Sequence, residues 1–248
     1  MIMKKLIPSE LKVRLRVWQR YLSDLSTGQI VQFAKFNPIS DEEKHLYQPQ
    51  ITLSQALMPT SYSEKKKHNL ALAIKRIQDV AIGPGEIFSF WHLVGKPDRA
   101  KGYVEGRSLV DNQLKAEVGG GLCQLSGLIY FLTLKAGLIT LERHSHTHDI
   151  YTESTRFAPL GSDATIVYGY KDFRFQNNLD VPVSGSILKN VKLKRFYVLQ
   201  NQLASLKFRS NCQKLKVGLK LILLVLLTAE INLRYSIPQS TINLADPN

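Results

Sequence analysis

Apolar residues recur at spacings of four and three from Leu11 through Leu15, Trp18 and Leu22 to Leu25, with Arg and Lys on the other face. That pattern predicts an amphipathic helix over 9–26, capped by Ser9 and stopped by Gly28. A second stripe, Leu70, Ile74, Ile77 and Ala81, predicts a helix over 63–82 that Gly83-Pro84-Gly85 ends. Between them, 29–60 mixes Pro38, Pro49 and Pro59 with short polar runs and is expected to be a loop-rich connector. From Glu86 the period changes. Ile87-Phe88-Ser89-Phe90 looks like a strand, and a hairpin is expected through 108–110 with its turn near 111–113. Gly119-Gly120-Gly121 then opens a helix over 122–136 whose Leu125, Leu128, Ile129 and Leu132 face the core and which Gly137 terminates. Short strands are expected at 138–151, 164–170 and 181–187. The pattern is α+β: N-terminal helices, then a mixed sheet around a central helix that follows a glycine loop.

Composition refines this without overturning it. The chain has 248 residues, 44% hydrophobic and 21% charged, an ordinary globular balance that excludes a disordered or fibrous protein. Its net charge of +13 is uneven, because residues 189–248 hold ten bases against two acids. Three regions are therefore expected: 1–60 as helix and connector, 61–188 as the main domain, and 189–248 as a basic, apolar tail. No recognisable nucleic-acid motif interleaves those bases, so no nucleic-acid partner is expected, and peripheral contact of the tail with an anionic membrane ranks above it. The most apolar run, Val217 to Ala229, is 13 residues long and falls short of the ~20 a spanning helix needs. Met1 to Ile7 offers only a short apolar patch before Pro8, unlike a secretory leader, so a cytoplasmic and membrane-associated location is expected. Cys123 and Cys212 do not suggest a disulfide framework.

The residues with chemical potential cluster in the middle. Cys123 stands in the first turn of the helix behind the three glycines, where free N–H groups and the helix dipole favour a thiolate. Against a nucleophilic role stands the ordinary one of a small core residue. Gly119, Gly120 and Gly121 allow close approach of a substrate backbone, and Gln124 can donate its amide to a developing oxyanion. His144, His146 and His148 alternate in Glu142-Arg143-His144-Ser145-His146-Thr147-His148-Asp149, so a strand would set all three on one face. Two functions compete for that face. In one, His146 or His144 serves Cys123 as general base and Asp163 orients the ring. In the other, His144, His146 and His148 bind a metal such as zinc, with Glu142 or Asp149 as an oxygen ligand. A solvated polar edge is the third alternative, and for Asp163 a simple turn. Phe88, Phe90 and Trp91 read as core and turn residues, with a groove beside Cys123 as the alternative.

Five ordered blocks resemble the motifs of the VanW family: Pro84-Gly85-Glu86-Ile87-Phe88-Ser89-Phe90, Val118-Gly119-Gly120-Gly121-Leu122-Cys123-Gln124, Glu142-Arg143-His144-Ser145-His146, Gly161-Ser162-Asp163-Ala164-Thr165 and Asp172-Phe173-Arg174-Phe175-Gln176-Asn177. The resemblance covers 84–185 most strongly. It implies a link to glycopeptide resistance and the cell envelope, and directs attention to Gly119, Gly120, Gly121, Cys123, Gln124, Arg143, His144, His146 and Asp163. The order Cys, His, Asp is also similar to transglutaminase-like and papain-like cores, by analogy alone. The leading expectation is thus a Cys-His-Asp site, with Arg143, Gln124 and the glycines contacting substrate, that acts without a cofactor on a peptide-like or peptidoglycan-related molecule by acyl transfer or amide hydrolysis. The rivals are the metal site and a binding module for an envelope ligand. Beyond Gly185 the resemblance stops, and 189–234 reads as a divergent membrane-facing tail or the product of a shifted reading frame.

Overall fold

A computed structural model describes residues 8–42, 47–55, 61–110, 113–146, 158–159, 161–190 and 193–201. The first helix, α1, runs Ser9–Ser26, with Pro8 rather than Ser9 in the cap position and no side-chain cap. An apolar stripe ordinarily marks the buried side of a helix; here it is outward. Leu11, Leu15, Trp18, Leu22 and Leu25 are exposed and α1 has no buried residue. The helix docks through other positions: Val13 and Val17 lie over Gly169, Arg20 pairs with Glu142 at 2.5 Å, and Asp24 takes both Nη atoms of Arg174 at 2.6 and 2.9 Å.

The expected connector contains a strand, β1 (Tyr47–Gln55), whose register shifts between Pro49 and Ile51. A bulge is where a strand tolerates proline, which cannot donate to the ladder. The second helix, α2, spans Ser63–Ile77 and stops five residues before its expected end, because Gln78 is extended and Asp79 takes a positive φ of 61°. That turn releases the chain into β2 (Ala81–Ile82). Next come β3 (Ile87–Ser89), the short helix α3 (Phe90–Val94) and a 3-10 turn at Arg99–Lys101. The expected hairpin is β4 (Glu105–Val110) with β5 (Gln113–Val118), its turn residues 111 and 112 lying outside the described residues. The glycine-led helix, α4, spans Leu122–Lys135, one residue shorter than expected. After it come β6 (Ile139–Glu142), β7 (Arg174–Gln176), β8 (Val183–Asn190) and β9 (Leu193–Asn201).

The fold is α+β, but the expected mixed sheet is replaced by small antiparallel ones in the orders β1-β9-β8-β2 and β3-β7-β6, beside the β4-β5 hairpin. Among the described strands, only β4-β5 and β8-β9 are hairpins joined by short turns; the other pairings join strands far apart in the sequence. The strand expected over 138–151 ends at Glu142, and the one expected over 164–170 is instead a turn closed by a bridge between Val167 and Lys171. The four-stranded sheet runs across residue 188, where the charge balance changes.

The core lies between α2 and α4. Leu70, Ala73, Ile74 and Ile77 of α2 and Leu125, Leu128, Ile129 and Leu132 of α4 are buried with Phe88, Phe90, Phe173 and Phe175. Phe88 and Phe175 stack at 4.8 Å between centroids. Phe88 and Phe90 are therefore core, and Trp91 donates its indole N–H to the Lys171 carbonyl at 2.8 Å. The Asp172-to-Asn177 block is structural as well. Asp172, buried, accepts from the Ser89 hydroxyl at 2.6 Å and from Arg174 at 2.9 Å, and Asn177 donates to the carbonyls of Ile82 and Val181. Such fully bonded polar groups tie a segment to one position, since an unpaired one would cost its desolvation.

Candidate functional site

The loop before α4 positions Cys123, and it is built by close approaches of backbone. A Cβ added to Gly120 would fall 2.2 Å from the Gly106 carbonyl carbon and oxygen. One added to Gly121, whose φ is 100°, would fall 2.6 Å from Lys66 Cγ, and one on Gly119 would fall 2.7 Å from Pro97 Cβ. The approach that these glycines permit is thus to the chain's own hairpin, helix and turn. Asn69, fully buried on α2, locks the same loop: its amide donates to the carbonyls of Val104 and Gly120 at 2.9 and 3.0 Å, and its oxygen accepts from the Val104 N–H at 2.9 Å.

Gly121 leaves the start of α4 without a side-chain cap, so the first N–H groups lie beside Cys123. The segment 163–166 crosses this first turn. Ser126 donates to the Ala164 carbonyl at 2.7 Å, and Cys123 Sγ lies 3.6 Å from both Thr165 Oγ1 and the Ile166 carbonyl oxygen. Asp163 begins that segment. Its Oδ2 lies 2.7 Å from His146 Nδ1 and accepts from the His146 backbone N–H at 2.8 Å, while its Oδ1 accepts from Arg143 at 2.9 Å. With Nδ1 held by the carboxylate, the other ring nitrogen of His146 is free of that bond, and the imidazole is near enough to Cys123 for the two groups to shift one another's titration.

The three groups shift one another's titration. Burial pushes the Cys123 thiol up, but the hydrogen bond with His146, the Ile166 backbone, the Thr165 hydroxyl and the imidazolium charge outweigh it, leaving the thiol below its ordinary value. The bond to Cys123 raises the pKa of His146, burial opposes this, and Asp163 adds to the rise. For Asp163, burial acts upward, and His146 and Arg143 together hold the carboxyl below the usual range. The two shifts run toward each other, the thiol downward and the imidazole upward, as for neighbouring groups that titrate together.

Other expected residues sit differently. His144 does not share a face with His146: residues 143–146 follow the end of β6, and His144 Nε2 lies 3.0 Å from Glu142 Oε1. The two described histidines thus turn to separate carboxylates, and among the described residues no three potential ligands converge on a metal position. His148, Asp149 and Cys212 lie outside the described residues, as does the chain beyond Asn201. Arg143 is engaged by the protein itself, donating to the carbonyls of Gly161 and Asp163, each at 2.8 Å, and lying over the Tyr130 ring. It positions Asp163. The Gln124 side-chain oxygen is buried and has no hydrogen-bond partner among the described residues. Among the described residues no helix is long and apolar enough to cross a membrane.

Sequence reasoning missed Asn69, Thr165 and Lys66. Lys66 belongs to Lys65-Lys66-Lys67, which reads as a solvated run, yet its place four residues before Leu70 and seven before Ala73 puts it on the inward stripe of α2. Its stem lies along Gly121.

Comparison with known proteins finds relatives of the sequence. The family model described as "VanW like protein" matches residues 65–194. The chain is 38% identical over 123 residues to the "Uncharacterized protein YoaR" of Bacillus subtilis (strain 168), a match covering 50% of this chain and 39% of that protein. It is 36% identical over 119 residues to the "Vancomycin B-type resistance protein VanW" of Enterococcus faecalis (strain ATCC 700802 / V583), covering 48% of this chain and 43% of that one. The matches thus span about two fifths of each curated relative. No solved structure matches the chain.

Proposed function

This chain belongs to the VanW family, and from that premise we propose that it is a cysteine-dependent protein that transfers or hydrolyses an acyl group of a peptide-like, peptidoglycan-related substrate. One observation carries the reading: His146 Nδ1 lies 2.7 Å from the Asp163 carboxylate, and the same imidazole is near enough to lower the Cys123 thiol. In the reaction the Cys123 thiolate attacks the amide carbonyl carbon and a C–S bond forms. As the C–N bond breaks, the His146 imidazolium gives its proton to the departing amine, leaving a thioester. Water or a second amine then attacks the thioester, His146 takes its proton, and the thiolate leaves. Asp163 holds the ring tautomer and faces the imidazolium charge, the role of the third residue of such a triad. The uncapped start of α4 supplies N–H groups near the sulfur for the developing oxyanion.

Two further supports are indirect. The order Cys, His, Asp, with the cysteine heading a helix, is similar to papain-like and transglutaminase-like enzymes, an analogy of arrangement only. The printed name of the Enterococcus relative, a vancomycin B-type resistance protein, motivates an envelope-derived substrate.

The test is the pH profile of iodoacetamide labelling at Cys123. Wild type should label at mildly acidic pH, well below the ordinary thiol value of about 8.5. His146→Ala should return the profile to that ordinary value, and His144→Ala should leave it acid-shifted. An ordinary profile in wild type, or no labelling of the folded protein, returns Cys123 to the role of a core residue.

A further inference from the structure

Helix α1 turns its apolar stripe away from the described protein, and its charges divide in the same way. Leu11, Leu15, Trp18, Leu22 and Leu25 fall on one face of a helix, and each is between 47 and 63% exposed. Arg14 and Tyr21 border that face on one side, Gln19 and Lys12 on the other. The opposite face does the docking, where Arg20 pairs with Glu142 and Asp24 with Arg174. Of the helix's charges this leaves Lys12, Arg14 and Arg16 against Glu10 alone, and no described carboxylate pairs with those three bases. Beside Arg16, an open groove of about 290 Å³ runs between α1 and the turn on which it rests, lined by Arg16, Gln19, Arg20, Ser23, Gly169 and Tyr170.

We propose that α1 is a docking surface for an anionic phospholipid bilayer. The helix lies in the plane of the headgroups, with its leucines and Trp18 among the upper acyl chains and Lys12, Arg14 and Arg16 at the phosphates. A bilayer supplies both things this face lacks: continuous apolar depth under a row about 21 Å long from Leu11 to Leu25, and negative charge along its borders. Trp18 and Tyr21, each an apolar ring with a polar tip, suit the level of the headgroups. The groove beside Arg16 is open to a lipid phosphate, which a guanidinium binds with charge-assisted hydrogen bonds. The chain offers no comparable occupant. Its stretch 189–248 holds ten bases against two acids and would set cations against cations, as would the same face of a second copy. Because α1 is held to the protein by its inward ion pairs, the stripe can be buried in lipid without undocking the helix.

Co-sedimentation of the full chain with vesicles tests this, using phosphatidylcholine alone and an equimolar mixture with phosphatidylglycerol. Wild type should partition onto the anionic vesicles and only weakly onto the neutral ones. Trp18 emission, isolated as the difference between wild type and Trp18→Phe because Trp91 is the other tryptophan, should shift to the blue on binding. Leu15→Gln combined with Leu22→Gln should lower the partition coefficient roughly tenfold or more, and Arg14→Gln combined with Arg16→Gln about tenfold on anionic vesicles alone. All four positions are exposed, so thermal unfolding should stay at the wild-type temperature and show that the fold is kept. Absence of binding, or equal binding to both vesicles, overturns the proposal. So does anionic binding that neither double variant weakens, which places the contact in the basic stretch 189–248 instead. A lipid-free dimer that Leu15→Gln with Leu22→Gln dissociates makes a second copy the occupant, and retention on polyglutamate without vesicle binding makes it an acidic protein; either result overturns the bilayer.

Discussion

At the residue, what distinguishes Asp163 from a turn-closing aspartate is that both oxygens are used, one by His146 and one by Arg143. Its carboxyl is held below the usual range, so the stability it contributes is present above about pH 3.9 and is lost as pH falls through the lower folded value. Asp163→Asn should therefore cost stability at pH 7, by no more than about 1 kcal/mol because the side chain is 37% exposed and screened. Urea unfolding should show that difference narrowing below about pH 4. The same variant should slow alkylation of Cys123 at pH 6, since the ring is no longer held for the sulfur. The place of Cys123 at a helix start was legible from the three glycines before it, and the meeting of His146 with Asp163 from their motifs. His144 was not separable from His146, because alternation states which residues share a face only while the strand lasts, and this strand ends at Glu142. Lys66 was hidden by its two lysine neighbours.

At the level of elements, the glycine loop is a contact between backbones, and the contact sets where Cys123 stands. Gly120→Ala would drive a methyl into the Gly106 carbonyl at 2.2 Å. Since backbone cannot step aside as a flexible side chain can, the cost should be about 1–3 kcal/mol, read by thermal unfolding, with weaker labelling of Cys123. Gly127, on the same helix, offers the contrast: its added methyl would meet Ala164 N at 3.6 Å, ordinary contact, so Gly127→Ala should be tolerated. Sequence showed that glycines precede the helix but not what approaches them, because Gly106 meets Gly120 only through the register of the β4-β5 hairpin that runs into the loop. The three long helices were legible from their period, but the five-residue α3 was not. The sheets were less so: β1 lay in a proline-rich stretch, and β7 has three residues, too few to show a period.

For the whole molecule, the boundary expected at 188 is a property of charge, and the sheet does not follow it. Strand β9 pairs with β8 on one side and with β1 on the other. A chain ending at Lys189 loses that shared partner and leaves two strands with open edges, whereas one ending at Gln202 keeps all four strands. The shorter chain should unfold at lower urea concentration and the longer one should match full length, as followed by circular dichroism. The outward stripe of α1 has a further consequence for the molecule in bulk solution. With Trp18 63% exposed and four leucines about half exposed along one line, and with the docking of that helix made by ion pairs, salt acts on it twice in the same sense. It screens the charges that hold α1 down, and sulfate strengthens the tendency of its leucines to leave water. Precipitation by ammonium sulfate will therefore begin at this helix, and low ionic strength is the condition under which concentrated protein stays dispersed.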